Sequence, residues 1–260
     1  MSDVIHAAVR THRDDLILEV TLDRPKANAI DLATSRAMGE VFAAFRDDSE
    51  LRVAILRTEG DKFFSAGWDL KAAAAGDAVD GDYGAGGFGG LQELPDLNKP
   101  VIAAVHGLAM GGGFELALSC DLIYASESTQ FGLPEINAGT LADAATVKLP
   151  KRMPHHIAME LLLTGRWMGA AEAARWGLVN EVVPQDRLME TARRWAAEIM
   201  ECAPLSVRAT KQASLRGLDM ELAEAMNTEF PAMKTMRESQ DSREGPQAFA
   251  EKRKPVWQGR

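Results

Sequence analysis

The sequence predicts an α/β fold whose strands pair in parallel. Over the first 184 residues, short runs of branched apolar residues alternate with helical patterns. Such alternation is typical of sheets whose strands are joined by crossover helices. The runs Val101–Val105 and Asp121–Ala125 are apolar enough for burial on both faces. From residue 185 onward the pattern is helical, so we expect a core over residues 1–184 and a helical C-terminal region over residues 185–260.

The elements can be placed in order along the chain. Predicted strands are Leu16–Leu22, Arg52–Arg57, Val101–Val105 and Asp121–Ala125, with weaker candidates at Gln130–Leu133 and Val179–Val183. Predicted helices of the core are Leu32–Phe45, Phe114–Cys120, His156–Thr164 and Ala170–Trp176, the last ended by Gly177. The C-terminal region is expected to hold helices over Asp186–Glu201, Pro204–Arg216 and Leu218–Glu238.

The composition favours a globular protein and argues against nucleic-acid and membrane partners. A chain of 260 residues that is 46% hydrophobic suits one globular domain, with or without an appended helical segment. The net charge of −9 argues against a nucleic-acid partner. Because no apolar stretch approaches 18 residues and no signal peptide is visible, we expect no membrane association. Cys120 and Cys202 fit a reducing cytoplasm and are not spaced as a metal or redox pair.

A glycine-rich segment, from Val105 to Glu115, carries the first indication of chemistry. Three consecutive glycines, 111–113, let another group approach the backbone, because no Cβ stands in the way. The helix predicted after them would place unpaired N–H groups and a partial positive charge at its start, which suits a developing anion. Glu115 would lie on the first turn as an acid or base. The alternative is an ordinary turn with a glutamate favoured by the helix dipole.

A second segment, Ala72 to Gly90, is rich in alanine, glycine and aspartate and lacks apolar periodicity. It is expected to be a flexible loop, a lid over a site, or both.

Four separated motifs point to one family. They are Arg24–Ala29, Phe64–Lys71, Gly111–Glu115 and Leu133–Gly139, each following a predicted strand. Together they resemble the crotonase (enoyl-CoA hydratase/isomerase) superfamily, and the resemblance extends from about Leu16 to Trp257. Within it, the runs Asp23–Asp31, Lys62–Ala72 and Gly112–Ala117 are most similar to the branch that interconverts crotonobetainyl-CoA and carnitinyl-CoA.

The resemblance implies a repeated ββα spiral core, an acyl-CoA thioester substrate, and a homotrimer or a dimer of trimers. CoA is part of the substrate, so no separate cofactor and no metal is implied. The oxyanion hole would be the backbone N–H groups of Trp68 and Gly112, which stabilise charge on the thioester oxygen. Glu115 and Glu135 match the two glutamates that hold one water. Which of them is acid and which is base stays open.

The CoA site implied by the resemblance is spread along the chain. Phe249 and Lys252, in the locally basic C-terminal segment, match positions that often reach the site from a neighbouring subunit. Their ring and ammonium suit the adenine face and the phosphates. The other positions carried over are Lys26, Ala27, Ala66, Gly67, Asp69, Leu70, Gly111 and Pro134.

The run Gly139 to Lys148 departs from the family pattern. Its proline is replaced by Ala142, its glycine pair is lost, and the segment is one residue short. Asp143 could offset the trimethylammonium charge of crotonobetaine, with Trp68, Tyr83 or Phe88 as an aromatic partner. Alternatively, Asp143 is a helix N-cap. A dehalogenase branch has an aspartate nucleophile near this position, but the presence of both hydratase glutamates argues against that chemistry.

The sequence therefore predicts an enzyme of the hydro-lyase type that hydrates and dehydrates an enoyl-CoA thioester, most similar to the crotonobetainyl-CoA branch. One alternative is a general short-chain enoyl-CoA hydratase or isomerase. A second is a CoA-binding protein that has lost catalysis, against which the two glutamates argue.

Overall fold

The computed structural model describes residues 2–76, 78 and 81–260, with the backbone alone for residues 2–6. Its strands are β1 (Ser2–His6), β2 (Val9–Asp14), β3 (Ile17–Leu22), β4 (Val53–Thr58), β5 (Phe63–Ser65), β6 (Val101–Val105), β7 (Leu108–Met110), β8 (Leu122–Ser126), β9 (Gln130–Gly132), β10 (Met168–Gly169) and β11 (Glu181–Val183). Its α-helices are α1 (Leu32–Asp47), α2 (Leu70–Ala74), α3 (Gly112–Leu118), α4 (Asp143–Lys148), α5 (His155–Thr164), α6 (Ala170–Arg175), α7 (Leu188–Met200), α8 (Pro204–Gly217), α9 (Leu222–Asn227), α10 (Pro231–Glu238) and α11 (Asp241–Glu251).

The core is a spiral of ββα turns. In the turns β4-β5-α2, β6-β7-α3 and β8-β9-α4, the first strand joins a large sheet and the second joins a small one. The large sheet has the order β1-β2-β3-β4-β6-β8-β11 and is parallel from β3 onward. The small sheet has the order β10-β9-β7-β5, and β5, β7 and β9 are parallel. The α/β fold with parallel pairing and the spiral core are thereby confirmed.

The central strands are apolar because both faces of the large sheet are covered. One face, with Val20, Leu56 and Ala103, belongs to the main core that also buries α1 and α3. The opposite face, with Ile55 and Ile102, is covered by apolar residues of α7. Burial on both faces explains why these strands lack the alternation of apolar and polar residues seen in half-exposed sheets.

Most helix ends differ from the sequence expectation by one or two residues, and two differences affect the architecture or the site. The single helix expected over Leu218–Glu238 is wrong: α9 ends at Asn227 and α10 begins at Pro231. Proline lacks the N–H that a continuous helix would need, and it disfavours helical backbone in the residue before it. The helix expected from Phe114 begins earlier, at Gly112, so two of the three glycines lie within its first turn.

No helix in the described ranges is long and apolar enough to span a membrane. The division of the chain into a core and a C-terminal region at residue 184 remains a prediction.

Candidate active site

One cavity of about 460 Å³ lies where the ends of the spiral turns meet the segment before Leu91. It brings together the sequence-predicted Trp68, Gly112, Glu115, Glu135 and Asp143. The remaining lining residues are Gly81, Asp82, Tyr83, Gly84, Gly87, Phe88, Gln92, Glu93, Thr140 and Leu141. Residues far apart in the sequence thus meet in one place, as the motifs predicted.

The backbone at Trp68 is held beside Gly112 by a dense local network. The Ser65 hydroxyl donates to Asn28 C=O at 2.6 Å and accepts from Gly67 N–H at 3.1 Å. A parallel bridge joins Trp68 to Ile30. A Cβ built on Gly67 would lie 2.6 Å from the Gly112 nitrogen, so the two backbone segments are in close contact. Glycine is required at position 67 because only a bare backbone fits this approach.

In the described part of the chain, neither the Trp68 N–H nor the Gly112 N–H donates a hydrogen bond. Gly111 is the N-cap of α3, with φ of 54°, and the amide of Gly112 follows as the first of the helix. The first N–H groups of a helix have no partner inside it, so this donor remains available to a ligand.

Arg24 fixes the segment that carries Trp68. Its guanidinium donates to Asp69 at 2.6 Å and to Asp31 at 2.8 Å. Asp31 caps α1 through the Thr34 N–H, and Asp69 caps α2. Both carboxylates are kept ionised by these bonds, and the pKa of each is lowered despite its burial. The side-chain oxygens of Asp69 are therefore engaged inside the protein.

Glu115 is a buried carboxyl on α3, with 7% of its surface exposed. Its Oε1 accepts from the Ala145 N–H at 2.8 Å. Burial raises the pKa of Glu115, the Ala145 N–H opposes the rise, and the negative charge of Asp143 adds to it. A glutamate with a raised pKa in a cavity is suited to proton transfer near neutral pH.

Glu135 follows β9 in the first turn of a short 3₁₀ segment, Pro134–Ala138. Its pKa is raised by burial and by the charges of Glu115 and Asp143. Its Oε2 is buried and finds no hydrogen-bond partner in the described ranges. A Cβ on Gly111 would collide with the other oxygen of this carboxyl, which shows how closely Glu135 lies against the glycine run.

Three buried polar atoms without a partner in the described ranges belong to residues of this cavity. The indole Nε1 of Trp68 and the amide Nε2 of Gln92 are buried without a hydrogen-bond partner among the described residues, as is Oε2 of Glu135. All three residues line the cavity. Buried polar groups are costly to leave unpaired, so their presence indicates a site shaped to receive water or a polar ligand.

The altered segment after Gly139 lines the cavity and donates a hydrogen bond to Glu115. Gly139 adopts left-handed backbone, and α4 then begins at Asp143 with Ala142 as its N-cap. The alternative that Asp143 is the N-cap is therefore wrong: Asp143 is the first helical residue, and no side-chain cap bond is made there. The shortened run presents the Ala145 N–H to Glu115 without the proline and glycines of the family pattern.

The segment before Leu91 forms an aromatic wall of the cavity. Tyr83 and Phe88 pack edge to face with ring centroids 5.6 Å apart. The Gly89 N–H donates to the Ser35 hydroxyl, and Arg36 donates to Asp82 C=O at 2.9 Å, so this part of the segment is tied to α1. The loop expected over Ala72–Gly90 is wrong at its two ends, because residues 72–74 belong to α2 and Phe88–Gly90 form a 3₁₀ turn. Residues 77, 79 and 80 lie outside the described residues. The role of this segment as a lid remains a prediction.

The residues expected to bind CoA lie outside the cavity lining. Lys26, Pro134 and Lys252 are exposed, as are Leu70 at 73% and Phe249 at 87%. The Ala66 N–H donates to Ala27 C=O at 2.9 Å, which aligns these two backbone segments. Phe249 and Lys252 end α11 on the surface.

Sequence reasoning missed three residues around Glu115. They are Gln92, Ser119 and Lys148, none of which belongs to a motif. Ser119 follows Glu115 by one helical turn, which could have suggested that the two interact. Nothing in the sequence indicates that Lys148 reaches them.

No cluster of three or more potential metal ligands is found within the described residues. The fold is a ββα spiral with a cavity lined by two glutamates, Glu115 and Glu135. The family model for enoyl-CoA hydratase/isomerase matches residues 12–260, and the chain belongs to that family.

Several known proteins and solved structures are similar to this chain over nearly its whole length. The carnitinyl-CoA dehydratase of Salmonella typhi is 53% identical, and the alignment covers 100% of both chains. That of Salmonella enteritidis is 52% identical with the same coverage. Among solved structures, enoyl-CoA hydratase EchA1 from Mycobacterium marinum has a TM-score of 0.91 at 38% identity, covering 98% of this chain and 100% of that one. An enoyl-CoA hydratase from Mycobacterium tuberculosis has a TM-score of 0.90 at 37% identity, with the same coverage. Family and relatives together make this chain a hydro-lyase.

Proposed function

We propose that this protein catalyses the reversible addition of water to crotonobetainyl-CoA, giving carnitinyl-CoA. The observation that carries the proposal is the meeting of Glu115 and Glu135 with two unused amides, Trp68 and Gly112, in one cavity. The 53% sequence identity with a carnitinyl-CoA dehydratase supports the choice of acyl group.

The two amides are proposed to bind the thioester oxygen. Attack of water at Cβ moves electron density through Cα to that oxygen, which becomes enolate-like. Preset N–H donors stabilise this charge without reorganising, and one such donor contributes about 2.7–4 kcal/mol. A backbone donor works with any side chain, so a tryptophan at position 68 is compatible with this role.

The two glutamates are proposed to divide the proton transfers. The Ala145 N–H bonded to Oε1 favours the ionised form of Glu115, which we assign as the base that takes a proton from water. Glu135 has an unpartnered buried oxygen, and its pKa is raised by burial and by the charge of Glu115, which favours the protonated form. Glu135 then gives its proton to Cα as the water oxygen bonds to Cβ. The pair ends with the one proton it began with, moved from Glu135 to Glu115.

Asp143 is proposed to recognise the cationic end of the acyl group. It lines the cavity with Trp68, Tyr83 and Phe88, and in the described part of the chain its carboxylate has no hydrogen-bond or ion-pair partner. A trimethylammonium group cannot donate hydrogen bonds, so it is best bound by a nearby anion and by aromatic faces.

The CoA portion is proposed to lie outside the cavity, over Lys26 and Leu70. Phe249 and Lys252 are exposed at the end of α11, where they can meet CoA held by a neighbouring subunit. We therefore propose a homotrimer or dimer of trimers and, from the two free cysteines, a cytoplasmic location.

The test compares hydration of crotonobetainyl-CoA and crotonyl-CoA by the wild type and by Asp143→Asn. The wild type should prefer crotonobetainyl-CoA. Loss of the counter-ion should lower kcat/KM for that substrate about tenfold, equivalent to about 1.4 kcal/mol, and leave crotonyl-CoA within about twofold. An equal loss on both substrates would refute the counter-ion role. A wild type that hydrates crotonyl-CoA alone would identify a general short-chain hydratase.

A further inference from the structure

Gln92 carries a side-chain amide whose hydrogen-bond donor is not used inside the protein. Its Nε2 is buried and has no partner among the described residues. Gln92 lines the same cavity as Glu115 and Glu135. A buried N–H group without an acceptor destabilises a folded protein, so this donor calls for an acceptor supplied by whatever enters the cavity.

The backbone that carries this amide is held in place. Gln92 C=O accepts from the Lys148 ammonium at 3.3 Å, and the same ammonium donates to the Ser119 hydroxyl at the end of α3 at 3.1 Å. On either side of Gln92, Leu91 and Leu94 are buried in the main core. The side chain therefore starts from a fixed point, which is what the positioning of a small molecule requires.

The Gln92 amide lies beside the Glu115 carboxyl without bonding to it directly. Burial raises the pKa of Glu115, and the groups that oppose the rise include the Ala145 N–H and, more weakly, the neighbouring Gln92 side chain. Nε2 of Gln92 nevertheless forms no hydrogen bond with any residue in the described ranges. Two neighbouring polar groups that do not bond directly can be joined by one water. Gln92 and Glu115 are therefore suited to hold a water between them.

The proposed reaction leaves one position on such a water for Gln92. A water oxygen has two hydrogens and two lone pairs. In hydration, one hydrogen passes to Glu115 and one lone pair forms the bond to Cβ, so the second lone pair can accept a hydrogen bond. An amide N–H suits this position, because it donates a hydrogen bond and keeps its proton.

We propose that Gln92 Nε2 binds the oxygen of the attacking water, and in the reverse direction the β-hydroxyl oxygen of the substrate, so that the reacting lone pair is directed at Cβ. The proposal rests on the proposed function. Gln92 itself gains and loses no proton, so the transfers assigned to Glu115 and Glu135 are unchanged.

The first test is the hydration of crotonobetainyl-CoA and crotonyl-CoA by Gln92→Met, which keeps the length of the side chain and removes the donor. Both thioesters add water at the same carbon. Hence kcat should fall about tenfold on each, the upper end for one neutral hydrogen bond, with KM within about threefold. Gln92→Asn, which withdraws the amide by one methylene group, should also slow both hydrations. It decides the question if the methionine variant does not fold.

Exchange of an α-hydrogen separates the binding of water from damage to the whole site. Butyryl-CoA has the thioester but no double bond and no oxygen at Cβ. Its α-hydrogen can exchange with D₂O through the oxyanion hole and Glu135, which would remove the hydrogen that it delivers in hydration. Proton NMR should show exchange by Gln92→Met within about twofold of the wild type, since no water adds at Cβ. Exchange that falls in step with hydration would overturn the proposal.

The pH profile separates the binding of water from an effect on the ionisation of Glu115. The loss of kcat/KM in Gln92→Met should persist above the acid limb, where the base is fully ionised. Recovery of the wild-type rate there would overturn the proposal, because Gln92 would then act only through the pKa of Glu115.

Gln185→Met is the matched control, because Gln185 is exposed and lies outside the lining of this cavity. It should hydrate both thioesters as the wild type does. A wild type that hydrates neither thioester would refute the proposed function. An active wild type matched within about twofold by Gln92→Met would refute the role of Gln92 alone.

Discussion

Gly67→Ala tests whether the contact between the Trp68 and Gly112 segments builds the oxyanion hole. The new Cβ would lie 2.6 Å from the Gly112 nitrogen and 2.8 Å from Met110 C=O, where ordinary contacts begin at 3.4 Å. The two backbone segments must therefore separate by roughly 0.8 Å. A misplacement of about 1 Å can cost 10²-fold in rate, and loss of one oxyanion donor costs 10²–10³-fold. We expect kcat to fall about 10²-fold, or about 2.7 kcal/mol in the barrier.

The substitution also forces alanine into positive φ, which costs about 1–2 kcal/mol of stability by itself. Gly60→Ala is the matched control, because Gly60 has φ of +86° against +84° for Gly67 and nothing lies within 4 Å of its Cβ. Both variants should lose stability in chemical denaturation, but only Gly67→Ala should lose kcat on crotonobetainyl-CoA. If Gly67→Ala folds and turns over within about threefold of Gly60→Ala, the oxyanion assignment is refuted.

Two further predictions concern stability. Because the pKa of Glu135 is raised in the folded state, its stabilising effect is present below the unfolded pKa and is lost as pH rises through the folded one. Glu135→Gln should therefore gain in melting temperature relative to wild type as pH rises from acid to neutral, and a constant difference would contradict this. Arg24→Lys should cost about 1–3 kcal/mol in urea unfolding, since a lysine cannot bond Asp31 and Asp69 in the same fork. An unchanged unfolding midpoint would contradict the structural role of Arg24, while Arg13→Lys, at an exposed ion pair, should be nearly neutral.

The parts of the fold that the sequence predicted are those with long apolar runs. Strands β3, β4, β6 and β8 were placed correctly because their burial is visible residue by residue. The small-sheet strands β5 and β7 were missed, since three residues are too few to show a period. Strands β9 and β11 have the same length and were predicted only as weaker candidates. Helix α11 was not predicted either, because it contains Pro246 and has few apolar residues.

In the candidate site, too, the sequence predicted residues that belong to local motifs and missed those that depend on tertiary packing. Motifs identified Glu115 and Gly112 because glycine runs and first-turn carboxylates are local features. The support of Glu115 by Ala145 could not be predicted, because a backbone N–H carries no sequence signal. The contact of Lys148 with Ser119 could not be predicted either, since it depends on how α3 and α4 pack.

The most direct test of the central claim is the hydration rate of crotonobetainyl-CoA by Glu115→Gln, measured beside the wild type at neutral pH. Glutamine keeps the shape and the bond from Ala145 but cannot accept a proton from water. We predict that kcat falls by about 10²–10⁴-fold, the range for a general base, with KM changed only a few fold. A variant that hydrates at more than about a tenth of the wild-type rate would contradict the assignment of Glu115 as the base that activates water.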